Sequence, residues 1–155
     1  MIGVATGVIG LGLAIPLAGY VSSPAFTRRK GEWTEVGPTD GMQVGAPEEL
    51  DYTGAVKDGW REVTAKKAVW AVKQSNGEIV VFSPICPHLG CGFRWNAGAE
   101  QFQCPCHGSV YDVTGKVLAG PAPRSLDILS SKVQGGQLYV IYKEFKSGLD
   151  HPVEL

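Results

Sequence analysis

The chain has 155 residues, enough for one ordinary domain and a short appendage. A net charge of −1, with charged residues at 19%, excludes a broad electrostatic grip on nucleic acid. The 21 glycines and 10 prolines suit a turn-rich β domain and argue against a helical bundle.

Met1 to Val21 holds no charged residue and is mostly apolar. As a helix it would span about 30 Å, the thickness of a bilayer's hydrocarbon core. A cleaved secretory signal would begin with a positive stretch, whereas here the apolar run starts at once, so an uncleaved transmembrane anchor over 1–21 is expected. Gly3 and Gly7 lie one turn apart, as in a small-residue packing face, and Pro16 can kink the helix. Residues 22–31 read as a polar linker or hinge. Arg28, Arg29 and Lys30 within it would normally stay on the cytoplasmic side. That opposes an external C-terminal domain unless the domain is exported folded or arginines precede residue 1.

From Trp33 onward short strands are expected between turn signals. Lys67–Lys73 and Glu78–Phe82 flank Ser75-Asn76-Gly77, a hairpin pattern. Gln101–Cys104 follows an Asn96-Ala97-Gly98 turn, and Ser109–Val113 precedes Thr114-Gly115. Lys132–Val133 and Gln137–Tyr142 flank Gly135-Gly136, a second hairpin. Residues 37–49 read as loop. The domain is expected over 32–146, with 147–155 a poorly ordered tail.

Two of the three histidines and all four cysteines fall between Cys86 and His107. They sit in two segments, Cys86-Pro87-His88-Leu89-Gly90-Cys91 and Cys104-Pro105-Cys106-His107-Gly108-Ser109. Twelve residues separate Cys91 from Cys104, enough for a hairpin that brings the segments together. Thiolates and imidazoles in two close groups point to a metal site. Six candidates are more than one four-ligand site uses.

The two segments resemble the paired loops of the Rieske iron–sulfur proteins of cytochrome bc-type complexes, C-x-H-x-G-C and C-P-C-H-G-S. Gly120-Pro121-Ala122-Pro123 resembles the proline-rich loop that covers the cluster in that family. Pro87 departs from the threonine common at that place, without removing a ligand. The resemblance implies an all-β fold, a Rieske-type antiparallel β-sandwich with a small cluster-binding subdomain at about 80–125, preceded by one N-terminal transmembrane helix. It implies one [2Fe–2S] cluster, with Cys86 and Cys104 on one iron and His88 and His107 on the other. It further implies a Cys91–Cys106 disulfide, a Ser109 hydroxyl donating to a bridging sulfide, a Tyr111 hydroxyl donating to Cys86, and His107 as the quinol contact. The expected function is that of a non-autonomous electron-transfer subunit of a quinol–cytochrome c oxidoreductase. It would carry one electron, coupled to a proton, from quinol to a c-type cytochrome. Its partners would be a b-type cytochrome subunit, a c-type cytochrome, quinol and the membrane, with no nucleic acid. The expected location is single-pass in the membrane, cluster domain on the periplasmic side, where a disulfide persists.

Three other readings compete. A structural zinc site has too many ligands here, and Cys104-x-Cys106 is an awkward chelate. A plain disulfide scaffold leaves His88 and His107 unexplained. A soluble Rieske-type ferredoxin serving an oxygenase shares the ligands but not the extra cysteines. A catalytic iron with two histidines and a carboxylate is excluded, because only His151 remains. Trp33, Trp60, Trp70 and Trp95 are expected to pack, and Arg94 and Arg124 to be solvated surface charges rather than a surface that steers a cytochrome.

Overall fold

The computed structural model describes residues 2–26, 32–58 and 61–155. The described residues form α1 (Ile2–Phe26), β1 (Thr34–Pro38), β2 (Glu48–Asp58), β3 (Arg61–Lys73), β4 (Ile79–Phe82), β5 (Arg94–Asn96), β6 (Gln101–Gln103), β7 (Val110–Tyr111), β8 (Val117–Ala119), β9 (Ile128–Gln134) and β10 (Gln137–Ile141). The chain divides into two units, Met1–Lys30 and Gly31–Leu155. Trp60, Arg28, Arg29 and Lys30 lie outside the described residues.

In the first unit α1 continues past Val21 to Phe26, over part of the expected linker. Its described side chains are exposed. Among the described residues no helix is long and apolar enough to cross a membrane.

In the second unit the strands form two antiparallel sheets, as the all-β expectation requires. The larger has the order β1-β10-β9-β4-β3-β2 and the smaller β5-β6-β7-β8. Successive side chains of a strand point to opposite faces. Along β3, Val69 and Ala71 therefore enter one core while Trp70 and Val72 enter another. β4 repeats the division, with Val81 in the first core and Phe82 in the second. Burial on both faces explains why this part of the sequence reads as an almost continuous apolar run. The first core also holds Met42, Leu129, Leu138 and Val140, and the second Phe93, Phe102, Tyr111 and Leu126. Phe102 of the small sheet meets Trp70 and Phe82 edge to face, at centroid separations of 5.4 and 6.0 Å. The small sheet is thereby packed on the outer face of the large one, and the two cysteine–histidine segments emerge from it.

Three features depart from expectation. β2 and β3 form a hairpin of 11- and 13-residue strands rather than short ones, paired from Glu48↔Ala71 to Asp58↔Arg61. β1 and β2 occupy residues whose sequence shows no distinct strand pattern, 37–49 reading as loop. The C-terminal segment, expected to be poorly ordered, folds back on itself through a Phe145↔Glu154 bridge, Lys146 N–H to the Val153 carbonyl and Leu155 N–H to the Glu144 carbonyl.

Arg124 explains part of that order, and it is not a solvated charge. It is 8% exposed and its partner Asp127 5%. Nε and Nη2 donate to the two carboxylate oxygens of Asp127 at 2.9 and 2.7 Å, a bidentate pair. Nη1 and Nη2 also donate to the carbonyls of Leu149 and Lys146, at 2.6 and 3.0 Å. Removing one member of such a pair leaves the other charge buried without its counter-ion. Asp127→Ala is expected to destabilise the domain by about 3–5 kcal/mol, measured by urea denaturation of the full chain.

Candidate metal centre

The two segments fold into the same loop. In the first, the Cys86 N–H donates to the Cys91 carbonyl at 2.7 Å and the Gly90 N–H to the Cys86 carbonyl at 3.1 Å. In the second, the Cys104 N–H donates to the Ser109 carbonyl at 2.8 Å and the Gly108 N–H to the Cys104 carbonyl at 3.1 Å. Each closes on a glycine of positive φ, 81° at Gly90 and 73° at Gly108, a conformation that most side chains disfavour. The shared Cys-Pro-x-x-Gly pattern is the sequence signal for this duplication.

The loops converge. The Cys91–Cys106 disulfide joins them, with the two Cα atoms 6.5 Å apart. Cys86 and Cys104 carry free thiols and are 0% and 3% exposed, within the second core. The rings of His88 and His107 stand edge to face, centroids 4.8 Å apart. The Tyr111 hydroxyl lies 3.1 Å from Cys86 Sγ. Burial, and then Cys86, push the Tyr111 phenol well above the usual tyrosine range. It therefore stays protonated and is a donor toward a thiolate. Burial likewise pushes the Cys104 thiol up.

Two buried thiols side by side are costly to ionise unless a cation supplies the opposite charge. The sulfurs of Cys91, Cys104 and Cys106 lie within 4.8 Å of one another. The disulfide consumes two of these three, so the trio is not itself a ligand set, and Cys104 is left with Cys86 as the thiol pair. Two buried polar atoms here, His88 Nδ1 and Ser109 Oγ, have no hydrogen-bond partner. Unpaired buried donors and acceptors are rare in native proteins, and a bound ion or group is one way such atoms are satisfied. Buried sulfur donors, adjacent imidazoles and an unsatisfied hydroxyl together fit a cluster with mixed cysteine and histidine ligation.

The 120–123 loop backs the second loop. A Cβ on Gly120 would lie 2.5 Å from the Gly108 carbonyl oxygen and 2.5 Å from Ser109 Cα. Ala122 packs against the second core. Of the tryptophans, Trp70 is buried, Trp95 packs on Phe102 at 4.8 Å, and Trp33 is exposed beneath the Lys132 ammonium at 4.6 Å. Arg94 is exposed on β5, and His151 is exposed beside Asp150.

A family model described as the Rieske [2Fe-2S] domain matches residues 32–141. The menaquinol:cytochrome c reductase iron–sulfur subunit of Geobacillus thermodenitrificans is 30% identical over 139 residues, covering 86% of this chain and 82% of that one. The cytochrome b6-f complex iron–sulfur subunit of Synechococcus sp. (strain RCC307) is 57% identical over 56 residues, 36% of this chain and 32% of that relative. The soluble domain of Rieske protein II from Sulfolobus acidocaldarius shares the fold, with a TM-score of 0.50 at 20% identity over 79% of this chain and 84% of that one. The matched domain implies one [2Fe–2S] cluster.

A methyl group at Gly120 would strike backbone of the second loop, and φ there is +92°. Gly120→Ala is expected to destabilise the cluster region by about 1–3 kcal/mol. The visible absorbance retained per purified protein measures the loss, and full retention would contradict the contact. The disulfide closes a loop between residues 91 and 106, which the chain-entropy account values at about 3 kcal/mol. Replacing both cysteines with serine is expected to lower the urea midpoint accordingly and to speed cluster loss to a chelator.

Proposed function

The chain belongs to the Rieske [2Fe–2S] family, and from that premise we propose that it is the electron-transfer subunit of a membrane quinol–cytochrome c oxidoreductase. Cys86 and Cys104 would hold one iron and His88 and His107 the other. The bound cluster supplies one-electron redox chemistry, at a potential that histidine ligation raises in Rieske centres generally. The observation that carries the reading is the pairing of two buried free thiols with two adjacent imidazoles on disulfide-joined loops.

The protein's own groups have distinct tasks. Tyr111 donates to the Cys86 sulfur and Ser109 offers its otherwise unpaired hydroxyl to the cluster. Both stabilise added negative charge and so favour the reduced state. His107 is exposed, so its imidazole can accept a hydrogen bond, and then a proton, from a quinol hydroxyl. A quinol yields two electrons and a site holding one [2Fe–2S] cluster would take one, so the second would enter another subunit, a b-type cytochrome. The acceptor of the first is a c-type cytochrome. The uncharged α1 would anchor the chain through residues 1–21, residues 22–31 would tether the domain, and the domain would face the periplasm. The disulfide and the apolar N-terminus favour this reading over a soluble ferredoxin for an oxygenase.

The test is electron paramagnetic resonance of the dithionite-reduced full chain, together with co-purification of b- and c-type haem. A mixed histidine–cysteine cluster gives a lower average g value than an all-cysteine one, and an all-cysteine spectrum would end the proposal. Hydrogen bonds to charged groups contribute about 1.5–3 kcal/mol. Ser109→Ala and Tyr111→Phe are therefore each expected to lower the midpoint potential by about 60–130 mV. An unchanged potential in either would remove that hydroxyl from the assignment.

A further inference from the structure

The C-terminal segment lies past residue 141, where the family match ends, yet it grips the first cluster loop. The Gly148 N–H donates to the Pro87 carbonyl at 2.8 Å. Pro87 is fully buried and stands between Cys86 and His88. A Cβ on Gly148 would lie 3.7 Å from the His88 carbonyl oxygen, and one on Gly90 would lie 3.5 Å from Ser147 Oγ. Residues 147 and 148 thus lie along the loop's backbone. The segment is held from behind by Arg124, whose guanidinium takes the carbonyls of Lys146 and Leu149 on either side.

Each ligand loop consequently has its own backing. Gly120 presses on Gly108 and Ser109 of the second loop, and Gly148 holds Pro87 of the first. Arg124 follows Pro123 directly in the chain, so one buried guanidinium ties both backings together. Without the Gly148 N–H, the carbonyl between the two first-loop ligands would lose its partner in a buried setting.

We propose that residues 147–149 are a positioning strap for the first cluster loop, with Gly148 acting through Pro87 on Cys86 and His88. The proposal rests on the cluster reading given above. It assigns no contact between Gly148 and the cluster itself.

Three variants of the full-length holoprotein separate the hydrogen bond from the fold. Gly148 has φ +80°. Proline there cannot adopt that angle and has no N–H. Alanine keeps the N–H under strain, and asparagine keeps it with little strain. Loss of one such hydrogen bond corresponds to about a fivefold change in an equilibrium. Gly148→Pro is expected to speed chelator bleaching of the cluster about fivefold and to broaden the reduced resonance lines. Gly148→Ala should fall between Gly148→Pro and wild type, and Gly148→Asn should match wild type. If Gly148→Pro does not fold, bleaching and line width in Gly148→Ala against Gly148→Asn decide. Wild-type bleaching and line widths in the folded strained variants would overturn the strap, as would equal losses in Gly148→Asn. An unsubstituted chain lacking the mixed-ligand resonance would instead overturn the cluster reading.

Discussion

Everything near the cysteines depends on β3 and β4 being buried on both faces. A strand with one wet face could support only one core. Here Val69, Ala71 and Val81 fill the space under β1, β9 and β10, while Trp70, Val72 and Phe82 rise on the other side as a floor for the small sheet. Phe102 and Phe93 stand on Trp70, and Cys86, Cys104 and Tyr111 belong to the same packed cluster. The thiols are part of the core, so shifting the floor by one residue would move every aromatic support to the wrong face.

This placement settles a conflict between burial and chemistry. Sulfur ligands shielded from water suit a redox centre, because solvent does not have to reorganise around them. The same shielding penalises bare thiolates, as the raised Cys104 thiol shows. A positively charged metal core would remove the penalty, and the Tyr111 phenol, kept protonated by the same burial, offers a donor to Cys86. One low-dielectric environment therefore disfavours the empty thiolate pair and strengthens the groups that would stabilise a filled site.

The sequence made the site far more legible than its supports. The two short segments carry their chemistry in residue type and spacing; in the structure Cys86 and Cys104 lie in one packed core and the His88 and His107 rings stand edge to face. The β3–β4 and β9–β10 hairpins announced themselves through Asn76-Gly77 and Gly135-Gly136. The long β2 did not, because Glu48, Glu49, Asp51 and Gly54 dilute its alternation of Leu50, Tyr52 and Val56. Its available signal was Asp58-Gly59, just before β3. β8 has three residues, too few to show a period. Arg124 and the C-terminal segment were misread for a different reason. A charged residue near loops is normally wet, and only the tertiary fold shows Asp127, Lys146 and Leu149 closing around it.

The duplicated loop also explains how nearly identical segments yield unequal histidines. Their first positions, Cys86 and Cys104, are both buried, and their fourth positions, Leu89 and His107, are both exposed, Leu89 to 63%. The first loop places its histidine third, where it is half-buried and its Nδ1 is enclosed without a partner. The second places its histidine fourth and gives the third position to Cys106, which reaches across to Cys91, the sixth residue of the first loop. Ser109 takes that sixth place in the second loop, and its hydroxyl is turned into the protein. Offset by one position within a common backbone, the two imidazoles still stand edge to face, and His107 is the more exposed of the two.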